Sequence, residues 1–171
     1  MTQNMFGMMP GDDFQTIGMP LNETDLAINQ LNSFLRGEIS AAETYRMAIE
    51  RAGTHPDHAA NIGLLRGAQA DHGRAAQALR DRIRELGGEA SDSSGPWGVW
   101  AKLTQGTANL FGDSASLKAL KEGEEHGLKD YRRGVDDIDA TSAELVLNQL
   151  IPAQERHVNL LDQLISAAGN A

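Results

Sequence analysis

Apolar residues recur at steps of three, four and seven along most of the chain, which is the spacing of one buried helix face. Four such stripes can be traced, and no segment has the convincing alternation of a half-buried strand. The pattern therefore predicts an all-helical protein with four main helices. The apolar positions of the four stripes are Leu31, Leu35, Ala42, Tyr45, Ile49 and Ala52; Ile62, Leu65, Ala76, Leu79, Ile83 and Leu86; Leu117, Leu120, Leu128, Tyr131, Val135 and Ile138; and Leu147, Leu150, Leu161, Leu164 and Ala168.

Capping and breaking residues set the limits of these helices. Gly53 and the pair Gly87–Gly88 are stop signals after the first two stripes. The segment Thr141–Glu144 has the spacing of a capping box and predicts the start of the fourth helix. Pro152 falls inside that helix, where it has no N–H to donate, and we expect it to kink the helix close to His157.

The rest of the chain suggests how the helices are connected. Residues 1–21 are rich in Met, Gly and Pro without periodicity, which predicts a disordered tail before a single domain at 22–171. Residues 91–96 have the composition of a linker, and an amphipathic stretch with Trp97 and Trp100 follows. We expect a short crossover helix there, joining two helical hairpins.

Polar residues interrupt each apolar stripe at corresponding places. A helix turns about 100° per residue, so residues three, four and seven apart stay on one face, and these side chains should point into the core. The two halves of the chain also match, because Gly-Glu followed by Tyr-Arg, and Ala-Gln-x-x-His, each occur twice. Such a repeat predicts a pseudo-twofold bundle in which the polar groups converge at one depth. The six residues are Glu38, Gln69, His72, Glu124, Gln154 and His157.

Two buried carboxylates at one depth need a compensating positive charge, since burying a lone carboxylate costs free energy or forces it to take up a proton. A divalent metal ion would supply that charge. Histidine with glutamate is a ligand set suited to iron, manganese or zinc. The alternative is that the polar groups bond one another in a metal-free core network.

The composition and charge of the chain exclude or disfavour several classes of binding partner. The formal net charge is −9 and no long basic run is present, which disfavours nucleic-acid binding. The absence of cysteine removes disulfides and thiolate chemistry. The first residues lack the basic region of a signal peptide, and no apolar run approaches the length of a membrane span. We expect a cytoplasmic protein without a membrane partner, and a homodimer as the oligomer to test.

The dispersed pattern over residues 24–168 resembles the ferritin-like superfamily, which includes rubrerythrin-type and bacterioferritin-type di-iron proteins. Within it, the chain is similar to a bacterial ferritin-like domain family of uncharacterised function. The resemblance is carried by the Gly-Glu pairs at 37–38 and 123–124, by Tyr45 and Tyr131, and by the tryptophan-containing crossover. It implies a four-helix bundle of two hairpins with a long connection that contains a short helix.

Di-iron members of the superfamily use a glutamate from each of two helices and Glu-x-x-His from each of the other two. The resemblance implies iron as the first candidate, with manganese or zinc as alternatives. Glutamine replaces the expected glutamate at Gln69 and Gln154, which keep only an amide oxygen to offer. Two carboxylates balance one divalent ion, so we expect one ion and disfavour oxidase or ferroxidase activity. The implied ligands are Glu38, His72, Glu124 and His157.

The roles of the residues around this site follow less directly from the sequence than those of the implied ligands. Tyr45 and Tyr131 follow the two glutamates by two turns, and either hydrogen-bond groups around the metal, couple to its redox chemistry, or pack in the core. Asp71, Glu125 and Glu155 could add carboxylates but lie off the inward face. The sequence thus favours a metal-binding protein in metal handling or stress response. Its alternative is a structural or interaction bundle with a vestigial site.

Overall fold

The computed structural model describes residues 22–52, 59–95 and 114–168, and this part of the chain is helical without any strand. Helix α1 spans Glu23–Ala52, α2 spans Ala59–Glu85, and α3 spans Ser114–Gly134, followed by a 3₁₀ turn at Val135–Asp137. Helix α4 is continuous through three segments, Ala140–Leu145, a π-helical turn at Val146–Leu150, and Ile151–Ala168. The predicted all-helical fold is confirmed. The predicted tail and the crossover with Trp97 and Trp100 lie outside the described residues.

The helices pack as two pairs. Helix α1 lies mainly against α2, and α3 lies mainly against α4, while the pairs meet through α1 with α3 and α2 with α4. Two clusters of buried apolar side chains fill the bundle, and the polar positions fall between them along every helix. One cluster contains Tyr45, Ala48, Ile49, Ile62, Leu65, Ala68, Leu117, Leu120, Leu161 and Leu164. The other contains Leu31, Phe34, Leu35, Ala76, Leu79, Ile83, Tyr131, Val146 and Leu150.

The start of α4 differs from the sequence prediction. Asp139, in an extended conformation, is the N-cap, and its carboxylate accepts hydrogen bonds from the backbone N–H groups of Thr141 and Ser142. The predicted capping box beginning at Thr141 is therefore wrong, because the cap lies two residues earlier. Arg82 of α2 holds the cap by donating to Asp139 at 2.8 Å and to Ser142 Oγ at 2.9 Å. Burial raises the pKa of the Asp139 carboxyl, but hydrogen bonds from Ser142 and Arg82 outweigh it and lower the pKa.

The π-helical turn changes which residues of α4 face the core. Leu147, predicted to be buried, is 51% exposed, whereas Val146 is fully buried. Ile151 donates its N–H to the Val146 carbonyl across five residues, so this turn contains one residue more than an α-helical turn. Pro152, which has no N–H, comes directly after the turn. The extra residue keeps Val146 and Leu150 on the same inward face as the polar residues that follow.

Among the described residues, no helix combines the length and the apolar character needed to span a membrane.

Candidate metal centre

Five of the six predicted polar residues meet between the two apolar clusters, each delivered by the inward stripe of its own helix. All five are at most 5% exposed. The sixth, Gln69, is only partly buried, and no hydrogen bond within the described part of the chain joins it to the others. The structure therefore brings together one glutamine rather than two. The five are Glu38 from α1, His72 from α2, Glu124 from α3, and Gln154 and His157 from α4.

His72 lies at the centre of this group. Its Nδ1 is 2.8 Å from Glu38 Oε2 and its Nε2 is 3.0 Å from Glu124 Oε1. Carboxylates accept hydrogen bonds, so both ring nitrogens donate and the ring is an imidazolium. Burial lowers the pKa of His72, but the charges of Glu124 and Glu38 outweigh it and hold the pKa well above 6.5. The two carboxylates thus share one internal cation.

Each of the two site carboxylates also accepts a hydrogen bond from a tyrosine. The hydroxyl of Tyr45 on α1 donates to Glu124 on α3, and the hydroxyl of Tyr131 on α3 donates to Glu38 on α1. Each helix pair therefore supplies the phenol that bonds the carboxylate of the other pair. Burial, followed by the nearby carboxylate charge, raises the pKa of both tyrosines well above 10. Both hydroxyls stay protonated and act as donors.

Gln154 is also a donor to Glu124. Its Nε2 donates to the Glu124 backbone carbonyl at 3.0 Å and to the Glu124 carboxylate. A glutamate here could not make either bond, because an ionised carboxylate only accepts. Gly127 leaves the space for this amide, since a Cβ at that position would lie 2.9 Å from Gln154 Nε2. The role of Gly127 was not predicted, although a glycine within a helix, one turn after Glu124, was a visible signal.

Glu124 is the most heavily bonded group of the site. It accepts hydrogen bonds from Tyr45, His72 and Gln154. Burial raises its pKa, but the charge of His72 and contributions from His157 outweigh burial and lower the pKa to about 2. Glu124 is therefore an ionised carboxylate at any pH near neutrality.

His157 has a different environment. Its Nε2 lies 3.2 Å from Asp71 Oδ2, while its Nδ1 lies 3.6 Å from Glu124 Oε2, too far for a hydrogen bond. Within the described part of the chain, this Nδ1 is the one buried side-chain nitrogen or oxygen without a hydrogen-bond partner. Asp71 was expected off the inward face, and the structure nonetheless places it against His157. Of the other two off-face carboxylates, Glu125 pairs with Lys121 and Glu155 with Arg132.

A single ion fits this donor set. His72, Glu124 and His157 can each offer one ligand atom, and these atoms lie within 4.8 Å of one another. Ligand atoms around one ion with bonds of about 2.0–2.2 Å are separated by roughly 3–4 Å, so the side chains would close in slightly. The unpartnered Nδ1 of His157 provides a ready nitrogen donor. An imidazole binds metal through an unprotonated nitrogen, so His72 must give up one ring proton to take part.

A cavity of about 60 Å³ lies beside the cluster. His72, Glu124 and Tyr45 are among the residues that line it. Small residues also line it, namely Ser40, Ala41, Ala119, Gly123 and Gly127. At roughly 10–15 Å³ per water molecule, the space holds a few waters, enough to complete the coordination of an ion held by three protein ligands.

Comparison with solved structures supports the fold. The chain is similar to a crystal structure of a ferritin-like, diiron-carboxylate protein from Bacillus anthracis strain Ames, with a TM-score of 0.68 and 19% identity. The match covers 85% of this chain and 99% of that one. No protein-family model and no curated protein matches the sequence. The ferritin-like fold predicted from the sequence is thus confirmed.

Proposed function

We propose that this bundle binds one divalent metal ion through His72, Glu124 and His157, and serves in metal handling or in a response to redox stress. The observation that carries the proposal is the buried Nδ1 of His157, which faces Glu124 Oε2 at 3.6 Å without a hydrogen bond. A buried ring nitrogen without a hydrogen-bond partner costs free energy, whether or not it carries a proton. A metal ion between the two groups removes that cost.

The charge of the site supports one ion rather than two. Glu38 and Glu124 together carry two negative charges, which one divalent ion balances once His72 is neutral. Gln154 adds no charge, and its amide already donates to Glu124. We keep its amide oxygen as an additional ligand. Gln69, which is partly buried and has no hydrogen bond to the cluster among the described residues, is a weaker additional donor.

Iron is the first candidate ion, because the similar solved protein is described as a diiron-carboxylate protein. Manganese and zinc suit the same nitrogen and oxygen donors. A bound iron ion would supply one-electron redox chemistry, for which Tyr45 and Tyr131 hold the carboxylates in fixed positions.

A metal-free bundle is the second candidate, and a specific observation favours it. His72 already bridges Glu38 and Glu124 as an imidazolium, so the network contains its own cation. In this state the cluster would act as a polar layer that fixes how the two helix pairs dock. The bundle would then be a structural or interaction module.

Metal analysis separates the two. We would load the purified protein with Fe(II) under anaerobic conditions, and separately with Mn(II) and Zn(II), remove free ions, and measure metal per chain by mass spectrometry. The metal-binding proposal expects about one ion per chain, lost in His157→Ala, because that variant removes the open nitrogen donor. His126→Ala is the matched control, since His126 is exposed and pairs with Asp130. Equal metal content in wild type and His157→Ala contradicts the proposal and leaves the metal-free bundle.

A further inference from the structure

Asp71 divides its carboxylate between two partners. Oδ2 lies 3.2 Å from His157 Nε2, on the neighbouring helix pair, and Oδ1 pairs with Arg74 one turn later on the same helix. The side chain of Asp71 is 27% exposed, whereas that of His157 is 5% exposed. A partly solvated carboxylate thus reaches inward to a buried imidazole, and an exposed arginine holds it from outside.

The contact between Asp71 and His157 favours one tautomer of the His157 ring. A carboxylate accepts a hydrogen bond, so the tautomer that this contact favours has its proton on Nε2 and its lone pair on Nδ1. That lone pair is directed toward Glu124, where it has no partner among the described residues. Without Asp71, the negative charge of Glu124 near Nδ1 would favour the other tautomer, with the proton on Nδ1.

His72 cannot provide such a nitrogen in the same way. Both of its ring nitrogens face site carboxylates, Glu38 and Glu124, and both are protonated. The residue preceding His157 is Arg156, which is exposed, so α4 supplies no counterpart of Asp71. Of the two site histidines, His157 alone combines a partly exposed carboxylate on one nitrogen with a buried nitrogen that has no partner among the described residues.

We propose that Asp71 is a positioning residue, which fixes the tautomer and the ring orientation of His157 so that an open Nδ1 faces Glu124. The consequence for metal affinity rests on the proposed function. The tautomer itself belongs to the metal-free protein and can be tested without any metal.

The first experiment uses metal-free protein labelled with ¹⁵N-histidine, in which long-range proton–nitrogen correlation spectra distinguish protonated from open ring nitrogens. Wild type should show His157 with Nε2 protonated and Nδ1 open. Asp71→Ala should shift His157 toward the other tautomer, and Asp71→Asn, whose amide oxygen can still accept, should retain most of the wild-type form. Asp130→Ala is the matched control, because it removes a similar carboxylate beside the exposed His126.

The second experiment measures zinc dissociation constants for the same four proteins by titration. Removing the carboxylate that orients a metal-binding histidine weakens affinity by about 10–100-fold, which we expect for Asp71→Ala, with a smaller loss for Asp71→Asn. The Asp130→Ala variant should stay within about twofold of wild type, because its carboxylate lies on the surface. Thermal unfolding of each variant shows that the bundle is intact.

The outcomes separate this proposal from the function it builds on. If wild type binds no zinc, manganese or iron, the proposed function fails, and the tautomer spectra alone decide the role of Asp71. A wild-type His157 protonated on Nδ1, or an Asp71→Ala spectrum identical to wild type, overturns the positioning role. So does an unchanged zinc affinity in Asp71→Ala when wild type binds tightly.

Discussion

His72 and His157 end the same Ala-Gln-x-x-His sequence, lie in the same buried layer, and nevertheless have opposite surroundings. His72 bonds a site carboxylate with each nitrogen and carries a positive charge. His157 bonds a carboxylate at the edge of the bundle with one nitrogen, and its other nitrogen has no hydrogen-bond partner among the described residues. His72 thus balances part of the negative charge of the carboxylates, whereas His157 keeps one nitrogen that forms no hydrogen bond in the described network.

A repeated sequence therefore does not produce two equivalent sites in this bundle. What distinguishes the two histidines is not in the shared motif but in the residues around it. Asp71 precedes His72 in sequence yet contacts His157 in space, and Arg156 occupies the corresponding place on the other pair. In the metal-free protein, His72 therefore balances the charge of the carboxylates, whereas His157 keeps a ring nitrogen without a hydrogen-bond partner among the described residues.

Replacing each histidine with leucine in turn should produce the largest contrast. In metal-free protein, His72→Leu leaves two buried carboxylates without their cation, which should cost on the order of 3–5 kcal/mol of unfolding free energy. His157→Leu removes one hydrogen bond to the partly exposed Asp71 and should cost about 1 kcal/mol or less. Denaturant unfolding in the presence of a chelator measures both, and equal costs would contradict the assigned roles.

The pH dependence of stability tests the charge on His72 and Glu124. The folded pKa of Glu124, about 2, lies below its unfolded 4.5, so its contribution is present above pH 4.5 and is lost as pH falls toward 2. The folded pKa of His72 is raised, so its contribution is complete below 6.5 and is lost as pH rises through that folded value.

The stabilisation should therefore be greatest between pH 4.5 and 6.5. Its acid limb amounts to on the order of 3 kcal/mol for Glu124. The measurement is the difference in unfolding free energy between metal-free wild type and His72→Leu, from pH 3 to about 9. A difference that does not change with pH would show that the His72–Glu124 pair is uncharged.

Removing each tyrosine hydroxyl in turn tests how much Glu38 and Glu124 depend on their remaining hydrogen-bond donors. Tyr131→Phe leaves Glu38 with His72 alone among its described donors, whereas Tyr45→Phe leaves Glu124 with both His72 and Gln154. Loss of a hydrogen bond to a buried charge costs about 1.5–3 kcal/mol, and we expect Tyr131→Phe near the upper value and Tyr45→Phe near the lower. Thermal unfolding of the two variants compares them directly. The reverse order would mean that Gln154 does not support Glu124.

The smallest expected effect concerns two glycines within helices. Gly73 on α2 has nothing within 4 Å of an added Cβ, so Gly73→Ala should stabilise by about 0.5–1 kcal/mol through helix propensity. Gly127→Ala has the same propensity gain, but its Cβ meets Gln154 Nε2 at 2.9 Å and should disturb the bonds to Glu124. Stability that rises equally in both variants would show that Gln154 moves aside freely.

Helical periodicity was enough to predict the four helices and most of the buried polar layer, because three- and four-residue spacing places side chains on one face whatever the helix packs against. It failed at Leu147, since a π-helical turn adds a residue and periodicity assumes an unbroken α-helix. Gln69 and Gln154 occupy matching positions in the repeat, but only Gln154 reaches the cluster. Sequence spacing alone does not determine how far each helix is rotated toward its neighbours.

The contact of Asp71 with His157 could not be predicted from the sequence for a similar reason. Its position on α2 lies about 100° from that of His72, which placed it off the inward face. The packing of α2 beside α4 brings it against His157, and that contact depends on tertiary structure. The N-cap, by contrast, is a local feature: Asp139 is a favourable N-cap residue, but the capping-box spacing that begins at Thr141 led to a helix start two residues too late.

The crossed bonds from Tyr45 to Glu124 and from Tyr131 to Glu38 have a consequence for folding cooperativity. Neither helix pair on its own contains both a buried carboxylate and the phenol that bonds it. A separated pair would expose an apolar face, and its glutamate would lose the phenol while keeping only the partner from its own pair, His72 for Glu38 and Gln154 for Glu124, so each half is less stable alone than in the bundle. The polar layer can form only when both pairs are docked, and the bundle accordingly gains and loses its structure in one cooperative step.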